Sequence, residues 1–193
     1  MIVVFLGPPG AGKGTQAELL SQKSSLPALS VGQLLRDAHR EKTPEGMAWD
    51  KYSMHGLNVP TELKFKLLVE KMDQAKDGFI LDNFPRTRED LVAFKKYLEE
   101  RDRKVDRVFH LVIREEVAVG RILSRKDKEG KKELVRGDDN LEILKVRIDE
   151  GYRKDLRPIL DHFRGLGVLE EISGVQSIET VHQEILRRLG SDD

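Results

Sequence analysis

Residues 2–6, IVVFL, form an unbroken apolar run rich in β-branched side chains, followed at once by GPPGAGKG and then by a helical pattern from Lys13 to Lys23. A run that is apolar at every position, rather than at every second one, reads as a strand buried on both faces of a parallel sheet. The segment Gly7-x-x-x-x-Gly12-Lys13 must therefore turn the chain between a buried strand and a helix. Glycines let backbone N–H groups close around an anion, and the helix N-terminus adds the positive end of its dipole. A lysine in the first turn opposes that dipole unless a phosphate lies beside it. Strand, glycine loop and helix together predict a phosphate-binding loop, with Lys13 on the outer phosphates.

Similar short runs recur at Pro27–Ser30, Gly78–Asp82, Arg107–Ile113 and Val168–Ile172, with helical patterns between them. Such alternation predicts a parallel α/β sheet whose ligands sit beyond the carboxyl ends of the strands. VGQLLRDAHREK, EGMAWDKYSMHG and TELKFKLLVEKMDQA all lie between the second and third runs. They exceed one crossover helix and predict an inserted helical subdomain. After the fourth run come a helix ending near Lys126, the polar stretch KDKEGKKEL, and a long helix from about Asp139 in which Gly151 and Pro158 favour a bend. By composition alone the polar stretch is a solvated loop; its neighbouring arginines recast it as a flap over the site.

Composition narrows the partners. Thirty-four basic and 34 acidic residues cancel across the 193-residue chain, unlike the one-sided basic surface of a nucleic-acid binder, so any positive site is local. No cysteine occurs, which excludes a disulfide framework and a thiolate zinc site. Ile2–Leu6 is far shorter than the ~18 residues of a membrane span, and no charged n-region precedes it. The chain is expected to be soluble and cytoplasmic, with neither nucleic acid nor membrane as partner.

The loop departs from the general pattern at one place. Gly14 stands where a Ser or Thr hydroxyl usually binds magnesium, and Thr15 comes one residue late. Magnesium is then expected to be held by nucleotide and water rather than by a direct protein ligand, with Asp82, at the end of the third run, as an anchor through water.

GPPGAGKGTQ (Gly7–Gln16), LSVGQLLR (Leu29–Arg36), GFILDNFPRT (Gly78–Thr87) and RGDDNLEILKVR (Arg136–Arg147) together resemble the adenylate kinase family in order and spacing over nearly the whole chain. The resemblance implies an α/β, P-loop NTPase-like fold in one domain, residues 1–193: a five-stranded parallel sheet flanked by helices. Its core would be 1–29, 60–121 and 137–193, its monophosphate-binding helical insert 30–59, and its lid 122–136. KDKEGKKEL suits the short lid, without the small sheet or the zinc of long ones. The implied activity is ATP plus AMP to two ADP with magnesium, in a monomer. GMP, then CMP or UMP, are alternative acceptors, and a catalytically silent nucleotide-binding module is the reading from another class.

Phosphoryl transfer asks the protein mainly to position groups and to stabilise negative charge on phosphate oxygens, work suited to arginine and lysine. The resemblance assigns ATP to Gly10, Ala11, Gly12, Lys13, Gly14, Thr15, Arg121 and Gln176. AMP falls to Val31, Arg36, Leu57, Asn58, Val59, Asn83, Arg86, Asp90, Arg136 and Arg147. Lys13, Arg86, Arg125, Arg136 and Arg147 would serve the reacting phosphates. Arg121 and Arg125, four apart, would repel unless an anion lay between them.

Departures from the family cluster around the acceptor's base: Val31 for Thr, Asn83 for Gly and Asp90 for Gln. Two readings of Asp90 stand. A carboxylate accepts but cannot donate, so Asp90 would suit guanine's N–H donors better than adenine's edge. Alternatively, Thr87-x-x-Asp90 is a capping box opening the helix that follows. His110, inside the fourth run, is expected to be a core group rather than a base, and Trp49 and Phe65 to be packing.

Overall fold

The computed structural model describes residues 1–53, 55, 57–124, 145, 146 and 148–190. Strand β1 (Ile2–Leu6) lies at the centre of a parallel sheet of order β2-β3-β1-β4-β5. Its companions are β2 (Ala28–Ser30), β3 (Phe79–Asp82), β4 (Arg107–Val112) and β5 (Leu169–Ser173). Each predicted strand is present, displaced by a residue or so at its ends. The register sets Phe5 opposite both Asp82 and Phe109, and Leu6 opposite His110, so Asp82 stands level with the end of β1, just before the glycine loop.

The expected two-sided burial of β1 follows from its alternation. Ile2, Val4 and Leu6 belong to one hydrophobic layer, Val3 and Phe5 to the other. Helix α1 (Lys13–Ser24) covers the Val3 and Phe5 face through Ala17 and Leu20. On the opposite face lie α4 (Thr61–Gln74), with Leu68 and Met72, and α5 (Arg88–Glu99), with Phe94 and Tyr97. The edge strand β5 carries an exposed Glu171 and a half-buried Glu170 paired with Arg107 and Arg188, charges that discourage pairing with another chain.

The segment between β2 and β3 folds as α2 (Val31–Arg40), α3 (Pro44–Ser53) and α4, matching the helical insertion read from length. Trp49 packs edge-on to His39, and Phe65 contacts both Phe84 and Tyr97, so both aromatics serve packing. Helix α6 (Glu115–Leu123) ends three residues before the expected Lys126. The lid expectation, 122–136, falls almost wholly outside the described residues, as do Arg125, Arg136 and Arg147.

Beyond Ile148 the helical path widens into a π segment, Asp149–Arg153, before α7 (Lys154–Gly165) and finally α8 (Ile178–Leu189). A π turn is how a helix takes up one additional residue without losing its register on either side. Of the two residues expected to favour a bend, Gly151 lies in the π segment and Pro158 inside the next helix.

Candidate active site

The glycine loop is shaped by close approach. Gly7 has φ 148° and Gly10 φ 80°; a Cβ on either would meet the carbonyl oxygen of Leu111 at 2.6 Å or of Ala118 at 2.7 Å. Gly12, φ 92°, has no described residue within 4 Å of the place a Cβ would take and caps α1 without any side-chain hydrogen bond, and no acidic residue occupies the first turn. First-turn N–H groups have no intrahelical acceptor, so Lys13, Gly14 and Thr15 open α1 onto an anion site that the protein leaves uncapped. Ala11 is buried, and its N–H donates to the Pro8 carbonyl at 3.2 Å, bracing the loop from within.

Lys13 is buried, and its ammonium donates to the Pro8 carbonyl at 2.8 Å, curling over the loop. Gly14 lies against the third strand: a Cβ there would stand 3.3 Å from Asp82 Oδ2. Asp82 Oδ1 is buried and has no hydrogen-bond partner among the described residues. An orphaned carboxylate oxygen beside a phosphate loop suits the water shell of a divalent cation, and the absent hydroxyl at Gly14 leaves room for that water.

A cleft of about 840 Å³ joins the loop to the helical insertion. Gly10, Gly12, Lys13, Gly14, Thr15, Val31, Arg36, Leu57, Asn58, Val59, Asn83, Arg86 and Asp90 all reach it, so one space gathers most residues expected on both nucleotides. Arg36 is held toward Gln33 at 2.7 Å. Arg86 is partly buried; burial lowers its pKa from the ordinary value, opposed by the charges of Asp90 and Asp82. Arg121 lies outside this lining and donates to the Gly174 carbonyl at 2.7 Å, tying α6 to the loop after β5. Gln176 is exposed and borders a separate depression with Ser173 and Thr180.

The departures around the acceptor's base acquire physical causes. Asn83 has φ 62°, a left-handed conformation that Gly adopts freely and Asn tolerates better than most residues. Asn for Gly there preserves the backbone turn. Val31 packs into the hydrophobic layer. Asp90 is fully buried and forms the capping box with Thr87. Its Oδ1 accepts from Thr61 Oγ1 at 2.6 Å, and its Oδ2 accepts from Lys64 Nζ at 2.6 Å and from the N–H groups of Arg86 and Thr87 at 3.0 and 3.3 Å. A carboxylate so engaged, with no exposed surface, favours the capping-box reading of Asp90 over direct contact with a base.

Lys64 is the residue that sequence reasoning missed. It is buried on α4 in the same helical phase as Leu68 and Met72, and burial lowers its pKa against the opposing pull of Asp90. The available signal was a lysine four residues before Leu68 on an otherwise apolar face. His110 behaves as expected of a core group: it is buried, and burial lowers its pKa.

Among the described residues no cluster of three or more His, Cys, Asp or Glu side chains could hold a metal ion, and no helix is long and apolar enough to cross a membrane. The sequence model of the family described as adenylate kinase matches residues 5–168. An adenylate kinase of Leptospira biflexa is 37% identical over 97% of this chain and 98% of its own length. The adenylate kinase 1 of Nostoc sp. is 39% identical over 98% of each chain, and an adenylate kinase of Archaeoglobus fulgidus is 35% identical over 96% of each.

Proposed function

The chain belongs to the adenylate kinase family, and from that premise we propose that it moves the γ-phosphoryl group of ATP onto AMP, giving two ADP. One observation carries the reading: an uncapped helix N-terminus with Lys13 in its first turn opens into the same cleft as Arg36 and Arg86. Backbone N–H groups of residues 12–15 would cradle the donor's phosphates, and Lys13 would leave the Pro8 carbonyl for the β- and γ-oxygens. Arg36 and Arg86 would hold the acceptor's phosphate in line. Arg121 and Gln176 are assigned to the donor nucleotide, and Leu57, Asn58 and Val59 to the acceptor's base.

Arg125, Arg136 and Arg147 are assigned to the transferring phosphates on family resemblance, with 122–136 as a lid, 30–59 as the acceptor-binding insert and the remainder as core. Excluding water during transfer strengthens these charge contacts and suppresses idle hydrolysis. Magnesium arriving with ATP would neutralise the phosphate oxygens, and Asp82 would hold one of its waters. A monomer acting in the cytoplasm, without nucleic acid or membrane, completes the reading.

The test is product separation with ATP, magnesium and each of AMP, GMP, CMP and UMP. Two ADP per AMP consumed is the expected outcome. Lys13→Met should lower kcat by roughly 10²–10³, the scale of losing one preorganised charge contact. A folded protein that forms no ADP from ATP and AMP would overturn the proposal.

A further inference from the structure

The acceptor end of the cleft contains a charged group that the reaction does not require. An amide at this wall could accept from adenine's amino group and donate to its ring nitrogen. Here the accepting half is already committed: Asp90 takes hydrogen bonds from Thr61, Lys64 and two backbone N–H groups, and it is fully buried. The donating half is not. Lys64 borders the cleft near Val59 and Phe84, and among the described residues Asp90 is its one hydrogen-bond acceptor. Two of the three ammonium protons therefore have no protein acceptor among the described residues. A buried ammonium left in that condition is costly unless an acceptor arrives with a ligand.

We propose that Lys64, held in place by Asp90, reads an acceptor atom on the six-membered ring of the acceptor's base, so that monophosphates of 6-oxopurines are phosphorylated as well as AMP. The inference rests on this cleft being the monophosphate site. Adenine presents the N1 lone pair, and hypoxanthine and guanine present O6 beside it. An ammonium is a point charge with rotatable donors rather than a fixed planar fork, so it serves either atom. No protein acceptor at this wall demands an exocyclic amino group, because the lone pairs of Asp90 are turned onto α4 and the loop before α5. Val31 and Val59, each with a little surface left open, supply an apolar wall for the ring in either case.

The experiment is steady-state kinetics with ATP and AMP, IMP or GMP for the parent, Lys64→Met and Lys64→Arg, with thermal melting to confirm folding. The parent should show kcat/KM for IMP within about tenfold of that for AMP. Lys64→Met should raise KM for IMP at least about tenfold at nearly constant kcat, with a smaller rise for AMP, and Lys64→Arg should recover much of the loss. A merely structural lysine would shift all acceptors alike. Parent discrimination against both IMP and GMP beyond about tenfold, or a Lys64→Met variant whose KM values keep the parent's ratios, overturns the proposal. If Lys64→Met fails to fold, Lys64→Gln, which still donates to Asp90 but lacks the charge, carries the same comparison. Turnover of AMP without IMP sinks this inference alone, whereas no turnover of AMP sinks the function beneath it.

Discussion

His110 Nε2 lies 2.8 Å from the phenolic oxygen of Tyr152, joining the middle of β4 to the π segment that follows Ile148. The π segment thus falls beside a contact made beneath the phosphate loop, since His110 pairs in register with Leu6. Burial lowers the pKa of His110 below 6.5, with Glu171 opposing. Folding therefore favours the neutral ring. Its contribution is complete above the unfolded value and is lost as pH falls through the lower folded value. His162 and His182 are lowered by burial too and add in the same direction. The urea midpoint should fall between about pH 7 and pH 5, and His110→Gln should flatten that dependence. An unchanged slope in the variant would show that His110 is not a source of it.

Two glycines of the loop should respond differently to alanine. Both have positive φ, which costs a side chain about 1–2 kcal/mol. At Gly10 the new methyl would also press on the Ala118 carbonyl, whereas at Gly12 it would meet none of the described residues. Denaturation should rank Gly10→Ala as the less stable variant. Gly12→Ala should instead raise KM for ATP more than KM for AMP, because its methyl projects where phosphate would lie.

Asn83 offers a cleaner conformational test. Asn83→Gly should be nearly neutral, while Asn83→Ala should lose about 1 kcal/mol at φ 62°. Acceptor preference should be the same in both. A change in the AMP to GMP ratio on Asn83→Gly would return the side chain to a role in base selection.

Thr87 accepts from the Asp90 N–H at 3.1 Å and anchors the start of α5. Thr87→Ala should lower stability by about 1 kcal/mol and Thr87→Ser by much less, measured by equilibrium unfolding.

Much of this architecture was legible because its signals are local. The unbroken apolar run of β1, the glycines before Lys13 and the capping box at Thr87 each state their conformation within a few residues. What the sequence hid depends on residues far apart in the chain. Asp90 reads equally well as a base contact or a cap until Lys64 and Thr61, on another helix, are found occupying its oxygens. Lys64 looks like a surface lysine until α4 is laid against the sheet. Asn83 reads as a chemical change in a binding pocket, yet the deciding quantity is a backbone angle.

The strand order has a further consequence. Because β1 is central, the elements proposed to shape the acceptor's end, β3 and β2 with the insertion, lie on one flank, while β4 and β5 lie on the other with Arg121 and Gln176. On the proposed assignment, exchanging residues of the insertion would alter which monophosphate enters while Arg121 and Gln176 stay with the donor, whereas Asp82, on the insertion's flank, remains tied to the triphosphate through magnesium.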